Sequence, residues 1–248
     1  MRAIELVPLP GLPAVEPGDD LAALVLAAAK GAGMALERGV LVVCQKIVSK
    51  AEGRIVAFAD VEPSAEARRI GREDGKDPRH VELVLRESAR IVRHAQGVMI
   101  CETHHGFVCA NAGVDLSNAA GRDTAVLLPV DCDASAQRLR AALLAAGAGP
   151  LAVVVSDTFG RPWREGLVDV ALGSAGLAPI DDQRGGVDLV GRELEVTATA
   201  TADQLAAAAG LWMQKKAAIP AVWIRGFAPH GNGTIQETLR DPKTDLFR

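Results

Sequence analysis

The pair Asp157-Thr158 is the feature of this sequence that most directly predicts chemistry. It stands in the segment SDTFGRPWREG, residues 156–166, immediately after the apolar run LAVVV. A carboxylate and a hydroxyl released side by side from a buried strand form a compact oxygen set for Mg²⁺ or Mn²⁺. Arg161 and Arg164 follow, and we expect one loop to place both cations near the same point. Helix capping by Asp157 would explain one residue of this segment, but not its density of charge.

A second polar segment, ETHHGFVCANAGVDLSN at residues 102–118, contains a carboxylate and an amide three residues apart. Asp115 and Asn118 in one turn can serve a metal ion and a polar ligand together, although a plain Asx-turn uses the same residue types. His104 and His105 are adjacent, so they point in different directions on most backbones and do not share a metal ion. We expect one structural and one exposed histidine.

Two further charged segments leave their alternatives open. Lys46 and Lys50 lie in CQKIVSKAEGR, directly after the β-branched run at residues 40–43. A lysine here can hold a phosphate as a point charge, and a solvated turn after the strand is the alternative. The stretch DDQRGGVDLVGR at residues 181–192 fits a loop that orders charged substrate groups and an exposed salt-bridged loop equally well.

The bulk composition favours a small-molecule partner. Net charge is −4, and no basic block resembles those that neutralise nucleic-acid phosphates or anionic lipids. Neither GxxxxGK[ST] nor a GxGxxG after a strand occurs, so a bound nucleotide would depend on lysine, metal and backbone amides. With two separate acidic sites, lysines and arginines, the residues alone indicate metal-assisted phosphoryl transfer.

No feature of the sequence points to export, to a membrane or to a disulfide framework. The N-terminal MRAIELVPLPGLP lacks a charged region followed by an apolar one. The longest apolar stretch, residues 21–29, is too short to cross a bilayer. Cys44, Cys101, Cys109 and Cys132 show no CxxC spacing. We therefore expect a cytoplasmic protein with no nucleic-acid or membrane partner.

The elements that must position these side chains are strands and helices without clean βαβ alternation, which predicts an α+β fold. Apolar and β-branched runs predict strands at residues 4–7, 40–44, 98–101, 150–155, 194–199 and 221–224. Helical patterns cover residues 21–36, 64–73, 79–94, 133–146 and 202–213. Because 49% of the residues are apolar, the chain can bury a substantial core.

Taken together, these segments resemble the coenzyme F420:L-glutamate ligases, a family of γ-glutamyl ligases. The matching motifs follow the family's order over nearly the whole chain: GLPAVEPGDDL, KIVSKAEGR, HGFVCANAGVDLSN, LLPVD, DASAQRLR, SDTFGRPWR, DVALGSAG and DLFR. Several are long and unusual, which argues against chance. Some bacterial members carry a further reductase domain, and we expect this chain to be the form without it.

The resemblance implies the partners and the assembly. GTP would be the phosphate donor, L-glutamate the incoming amine and an F420 precursor the acceptor. Mg²⁺ or Mn²⁺ would bind at two sites, with K⁺ as a further candidate ion. The whole chain, residues 1–248, would be one unit of two intertwined subdomains that forms an intertwined homodimer, with the site in a groove at the dimer interface.

The resemblance also implies roles for individual residues of this sequence. Lys50 and Asp157 would be catalytic, with Lys50 on the phosphates of the nucleotide. Asp115 and Asp157 would bind one metal ion and Thr158 a second. The remaining nucleotide contacts would come from Leu12, Pro13, Ala14, Val15, Gln45, Asn118 and Lys215, the last within a loop at residues 212–219.

The implied reaction is carboxylate activation in two steps. The terminal carboxylate of the acceptor attacks the γ-phosphate of GTP, which gives an acyl phosphate and GDP. The α-amine of glutamate then attacks the acyl phosphate and releases phosphate, and the cycle can add further γ-linked glutamates. Metal ions and Lys50 would offset the charge that builds up on the transferred group.

The chain departs from the family pattern in ways that leave two alternatives open. Cys44-Gln45 stands where the family usually has Thr-Ser, and Leu167-Val168 replaces a usual Gln-Thr. Leu167 and Val168 favour, as one alternative, a γ-glutamyl ligase for another glutamate-tailed cofactor of furan or pterin type. A nucleotide-binding protein that has lost ligation is the other. The presence of Lys50 and Asp157 with the remaining metal ligands argues against the second.

Overall fold

The computed structural model describes residues 3–117, 121, 123–214 and 216–245. Its helices and strands follow one another as β1 (Glu5–Pro8), α1 (Leu21–Gly31), β2 (Gly39–Cys44), α2 (Gln45–Ala51), β3 (Ile55–Ala57), α3 (Ala65–Asp74), α4 (Pro78–Arg86), β4 (Ser88–Ala95), β5 (Val98–Thr103), β6 (Val108–Ala110), β7 (Thr124–Val126), α5 (Cys132–Ala145), β8 (Leu151–Arg161), β9 (Arg164–Ala175), β10 (Asp181–Asp182), β11 (Ala198–Thr199), α6 (Thr201–Gly210) and β12 (Ala221–Arg225). Short 3-10 turns occupy Phe58–Asp60, Asn111–Gly113 and Ile235–Thr238. The predicted mixture of helices and strands in an α+β protein is confirmed.

A five-stranded sheet in the order β1-β12-β2-β8-β9 forms the centre of the protein. β2 and β8 run parallel, and the other neighbouring strands are antiparallel. Helices cover both faces of the sheet, so the central strands are apolar on both sides and read as continuous runs of valine and leucine. The predicted strands at residues 40–44 and 221–224 are confirmed for this reason.

The side chains of β2 divide the core between the two faces of the sheet. Leu41 and Val43 point to the face packed by α1, α2 and α5. Val40 and Val42 point to the opposite face, where Leu205 and other residues of α6 cover them. This alternation follows from the period of two along a strand. Because β2 and β8 run parallel, their carboxyl ends lie at the same edge of the central sheet.

A third core is formed by side chains from the segment at residues 58–127, and it is separate from the two cores on the faces of the central sheet. Here α3 and α4 pack on the three-stranded sheet β4-β5-β6, and buried Ile70, Val81 and Met99 belong to the same cluster. A two-stranded sheet, β3-β7, adjoins it. The division of the chain into two intertwined subdomains stays a prediction.

The predicted helix over residues 79–94 was wrong in its second half. α4 ends at Arg86, and residues 88–95 form β4, which pairs with β5. Gln96 and Gly97 both have positive φ, as a tight hairpin turn between these strands requires. The pairing is a tertiary interaction, and it overrides the helical pattern that the sequence of this segment suggested.

The other predicted element boundaries differ less from the observed ones, but one of the differences affects the site. The strand predicted over residues 150–155 continues to Arg161 and forms a hairpin with β9, so the segment predicted as a loop is strand. Residues 45–51, whose structural alternative was a solvated turn, form α2. The strand predicted at residues 194–199 is reduced to Ala198–Thr199. In the part of the chain that is described, no helix is long and apolar enough to span a bilayer.

Candidate functional site

The principal candidate site is a cavity of about 470 Å³ at the carboxyl ends of β2 and β8. Cys44, the last residue of β2, is paired with Ser156 of β8. The residues that follow these two positions therefore emerge side by side, with Lys46 and Lys50 on α2 and Asp157 on β8. In sheets with parallel strands, ligands bind in the crevice outside the carboxyl ends, and this cavity has that location.

The β8–β9 hairpin contains a β-bulge close to Asp157. Val155 pairs with Gly173 but Ser156 pairs with Ala171, so β9 carries one extra residue here. Bulges of this kind bend a strand and redirect its side chains. Asp157 and the next residue, Thr158, both line the cavity although they are neighbours on one strand.

The carboxyl group of Asp157 is held in an environment that disfavours its charge. Burial raises its pKa to about 7, and the nearby Asp115 carboxylate raises it as well, while a hydrogen bond from the Thr158 backbone N–H opposes the shift. A carboxyl group with such a pKa beside a second carboxylate is typical of functional sites. The arrangement can gain a proton near neutral pH or can be stabilised by a bound cation.

Asp115 reaches the same cavity from the third core and is paired with Lys46. The Lys46 ammonium lies 2.6 Å from Asp115 Oδ2, and the Ser117 backbone N–H donates to Asp115 Oδ1 at 2.7 Å. Burial alone would raise the pKa of Asp115, but the hydrogen bonds from Lys46 and Ser117 hold it below its ordinary value. Asp115 is therefore charged and firmly placed at neutral pH.

The two lysines of α2 differ in their surroundings. Lys46 donates to Asp115, to the Ser117 carbonyl at 2.6 Å and to the Ser117 hydroxyl at 3.1 Å. Lys50 lines the cavity, yet its ammonium makes no ion pair with any residue that the structure describes. Burial and the charge of Lys46 lower the pKa of Lys50. Lys50 is thus the lysine of the pair that is available to bind an anion.

The opposite wall of the cavity is largely apolar. The predicted nucleotide-contacting residues Leu12, Pro13, Ala14 and Val15 all line it, and Met213 and Ile219 lie on the same cavity. The structure therefore brings the segment at residues 12–15 together with Lys50, Asp115, Asp157 and Thr158. These residues are separated by up to 146 positions in the sequence, from residue 12 to residue 158.

Other residues that the sequence connected with the site either do not line the cavity or lie outside the described residues. Gln45 is fully buried and accepts a hydrogen bond from the Ser49 hydroxyl at 2.8 Å, so its side chain does not line the cavity. Asn118 and Lys215 lie outside the described residues. Arg161 and Arg164 stand at the exposed end of the β8–β9 hairpin, roughly 13 Å along the strand from Asp157. The loop expected to bring these arginines to the carboxylate does not exist.

The histidine pair and the charged stretch at residues 181–192 also lie outside the cavity. His104 is exposed, and His105 places a ring nitrogen 2.8 Å from the Pro129 carbonyl and stacks on Phe107, as expected for one exposed and one structural histidine. Asp182 and Arg184 form an exposed ion pair with each other. The salt-bridged loop is therefore the better description of that stretch.

Sequence reasoning missed two partners of the predicted ligands. Lys46 was considered for phosphate, but its contact with Asp115 spans 69 positions and was not foreseen. Asp169 was not singled out, yet it accepts a hydrogen bond from the Thr158 hydroxyl at 2.7 Å. Each contact depends on long-range packing or on strand register, so local spacing gave no signal for it.

Comparison with known proteins shows which family this chain resembles in sequence. The sequence model of the F420-0:Gamma-glutamyl ligase family matches residues 11–226 of this chain. The chain is 47% identical over 251 residues to the Coenzyme F420:L-glutamate ligase of Methanothermobacter thermautotrophicus, covering 99% of each protein. It is 42% identical to the protein of the same name from Methanopyrus kandleri, covering 100% of this chain and 99% of the relative.

A third relative with that name, from Archaeoglobus fulgidus, is 38% identical over 99% of this chain and 96% of its own length. The matches extend over almost the entire chain and include the segments that form the cavity. The chain belongs to the F420-0:gamma-glutamyl ligase family.

Proposed function

We propose that this chain is a GTP-dependent ligase that joins L-glutamate to glutamate-free coenzyme F420 and can add further γ-linked glutamates. The observation that carries the proposal is the cavity in which Asp115, Asp157, Thr158 and Lys50 meet the segment at residues 12–15. The family membership and the shared name of the relatives support the ligase class and the substrates.

The donor set in the cavity fits a divalent cation. Asp115, Asp157 and Thr158 offer only oxygen atoms, and the charge of Asp115 raises the pKa of Asp157, a repulsion that a bound cation would relieve. Within the described part of the chain, no group of three or more His, Cys, Asp or Glu residues could hold a metal ion alone. Mg²⁺ usually takes one or two carboxylates and completes its ligands with water and phosphate oxygens.

The proposed metal ions are therefore Mg²⁺ or Mn²⁺ bound together with the nucleotide. Asp115 and Asp157 would hold one ion and Thr158 a second, and K⁺ remains a candidate for a further site. When bound, the ions supply positive charge that stabilises the phosphoryl group during transfer. The assignment of divalent cations to these residues is based on the oxygen atoms of their side chains and on their position in the cavity.

The residues of the cavity suggest how the reaction proceeds. Lys50, a cation of the cavity with no ion-pair partner among the described residues, would bind the phosphates of GTP. The acceptor carboxylate attacks the γ-phosphorus, the bond to the β-phosphate oxygen breaks, and GDP leaves. The neutral α-amine of glutamate then attacks the acyl carbon of the acyl phosphate, inorganic phosphate leaves with the bonding electron pair, and the amine nitrogen releases one proton to solvent.

The apolar wall gives the nucleotide an orientation. A purine base would pack against the segment at residues 12–15, since aromatic rings gain stabilisation from apolar contact. The phosphates would then extend toward Lys50 and Asp157 on the polar side of the cavity. We expect GTP to support turnover better than ATP, and equal kcat/KM values for the two nucleotides would contradict this part of the proposal.

A homodimer is part of the proposed assembly. The bridge between Val187 and Glu193 closes a small hairpin, and Asp188 Oδ1 accepts from the backbone N–H groups of Val190 and Arg192. Leu189 at the end of this hairpin is fully exposed, and Val190 is 78% exposed. An ordered hairpin that presents apolar side chains to solvent is typical of a segment that packs against a second subunit.

The proposal is tested by supplying all substrates at once. The protein is incubated with GTP, Mn²⁺, L-glutamate and glutamate-free F420, and the products are identified by mass spectrometry. The expected product is F420 with one or more added glutamates, together with GDP and phosphate in matching amounts. Reactions without GTP serve as the control. GTP hydrolysis without a glutamylated product would favour a nucleotide-binding protein that has lost ligation.

A second candidate acceptor is favoured by one observation. Leu167 is 66% exposed and lines the cavity at a position where the family resemblance predicts glutamine. An apolar side chain here suits a furan- or pterin-type glutamate-tailed cofactor as the alternative acceptor. The same assay with such acceptors in place of glutamate-free F420 distinguishes the two, since the true acceptor gives the higher kcat/KM.

A further inference from the structure

Thr158 and Asp169 face each other across the β8–β9 hairpin. They are register partners, and the Thr158 hydroxyl donates to Asp169 Oδ1 at 2.7 Å. Thr158 lines the cavity, whereas Asp169 does not. The carboxylate therefore stands directly behind a hydroxyl that faces the site.

The carboxylate of Asp169 packs closely against the end of α6. Gly210 is the last residue of α6, and a Cβ atom at this position would lie 2.7 Å from Asp169 Oδ2. Such a distance is too short for van der Waals contact, so the absence of a side chain at Gly210 makes room for the carboxylate in the position where it accepts from Thr158.

The hydrogen bond determines which part of the Thr158 hydroxyl faces the cavity. A hydroxyl group has one proton to donate and two lone pairs that accept. Because the proton is directed to Asp169, the lone pairs of Thr158 Oγ1 are free to point toward a cation. A hydroxyl whose proton pointed into the cavity would repel the same cation.

We propose that Asp169 is a positioning residue, which fixes the Thr158 hydroxyl as an acceptor toward the second divalent cation, the one that Thr158 would hold. The inference rests on the proposed function and deepens it, because it adds a residue behind one of the metal ligands. The competing explanation is that the pair only stabilises the hairpin as a cross-strand contact. The two explanations differ in what they predict for metal affinity.

The test compares two substitutions of similar shape. Asp169→Asn retains an oxygen that can accept from Thr158, whereas Asp169→Leu does not. The measurement is the dissociation constant of Mn²⁺ in the presence of GTP, obtained from the electron paramagnetic resonance signal of free Mn²⁺. Outer partners of metal ligands typically change metal affinity by 10–100-fold, so we expect roughly a tenfold loss for Asp169→Leu and a much smaller one for Asp169→Asn.

Thr158→Val supplies the second arm of the experiment. If Asp169 acts through the hydroxyl, Asp169→Leu has no further effect on Mn²⁺ affinity once Thr158 is replaced by valine. Equal losses in both backgrounds, or equal losses for Asp169→Asn and Asp169→Leu, would overturn the inference. The thermal unfolding transition of each variant is recorded, and if Asp169→Leu does not fold, Asp169→Ala replaces it in the same comparison.

If the proposed function itself is wrong, the measurements of Mn²⁺ affinity give a different pattern. If Thr158→Val and Asp157→Asn both bind Mn²⁺ as the unmodified protein does, then the metal site itself is misplaced. If those two variants lose Mn²⁺ affinity and Asp169→Leu does not, then the metal site stands and only the role of Asp169 is rejected.

Discussion

The ammonium of Lys46 lies 2.6 Å from the Asp115 carboxylate and joins α2 to a loop 69 residues further along the chain. Both side chains are mostly buried, with 13% and 27% of their surface exposed. The contact connects the central sheet, which carries Asp157, to the third core, which carries Asp115. It therefore sets the distance between the two carboxylates of the candidate site.

The first prediction contrasts the two lysines of α2. Lys46→Met leaves the partly buried Asp115 without its cationic partner, so the free energy of unfolding should fall by about 1–3 kcal/mol. Lys50→Met removes a cation whose pKa is lowered by burial, so stability should be unchanged or slightly higher. The same variant should lose on the order of 100-fold in kcat/KM for GTP, because Lys50 would bind its phosphates.

Urea denaturation and initial-rate measurements on both variants separate these roles. A Lys50→Met protein that is as destabilised as Lys46→Met, with nearly normal kinetics, would show that Lys50 is structural. The pair is a matched comparison, since both lysines lie on the same helix and reach the same cavity.

The second prediction concerns assembly. Light scattering at micromolar concentration should return about twice the 25.9 kDa mass of one chain. Replacing Leu189 and Val190 together by aspartate should shift the protein to the single-chain mass, because charges would be buried where the apolar hairpin packs. Val130→Asp is the control, since Val130 is 73% exposed at a different part of the surface. A dimer that survives the double substitution would place the interface elsewhere.

Local patterns predicted four of the five strands of the central sheet, because burial leaves a strong apolar signal in a strand, but they missed β9. The segment at residues 40–44 is an example, since all but its last residue are fully buried in β2. The helix prediction for residues 88–95 was wrong, because this segment forms a strand only through its pairing with β5. Six of its eight residues are exposed, so the apolar signal was weak.

The site was predictable where residue type and immediate neighbours determine the chemistry. Asp115, Asp157 and Thr158 were singled out from such segments, and the structure brings them to one cavity with Lys50. The arginines at residues 161 and 164 were misplaced, because the sequence did not show that the strand continues past Asp157. A hairpin carries them away from the cavity, and only the strand register reveals Asp169 behind Thr158.

The third prediction is that Asp157→Asn abolishes ligation and leaves the fold intact. Asp157 follows the buried run of β8, and its backbone is fixed by pairing with Val170. Asparagine keeps the shape and one acceptor oxygen, but it loses the charge that a hard divalent cation requires. We expect kcat to fall on the order of 100-fold or more. Asp60→Asn, at an exposed position, is the control.

Mass spectrometry of the glutamylated product and circular dichroism of the variant check both halves of that prediction. If the Asp157→Asn protein retained activity within a few-fold of the unmodified protein, with the same dependence on Mn²⁺, Asp157 would not be a metal ligand.

The last prediction follows from the raised pKa of Asp157 in the protein without metal. The folded protein holds this proton up to a pKa of about 7, whereas an unfolded chain releases it near pH 4. Between these values the folded state binds more protons, so the contribution of Asp157 to stability is lost as pH rises from 4 through 7. Above pH 7 the buried carboxylate is charged and destabilising.

Asp157→Asn should therefore stabilise the metal-free protein at pH 8 by about 2–4 kcal/mol, and the difference should vanish below pH 4. Chemical denaturation in a chelating buffer across this range measures the effect, with Asp60→Asn as the control. Adding Mn²⁺ and GTP should reverse the order of stability, because ligands that bind only the folded state stabilise it. If the unmodified protein remained the more stable of the two at pH 8 without metal, the Asp157 carboxylate would already have a partner other than a metal ion, and its place in the metal site would be wrong.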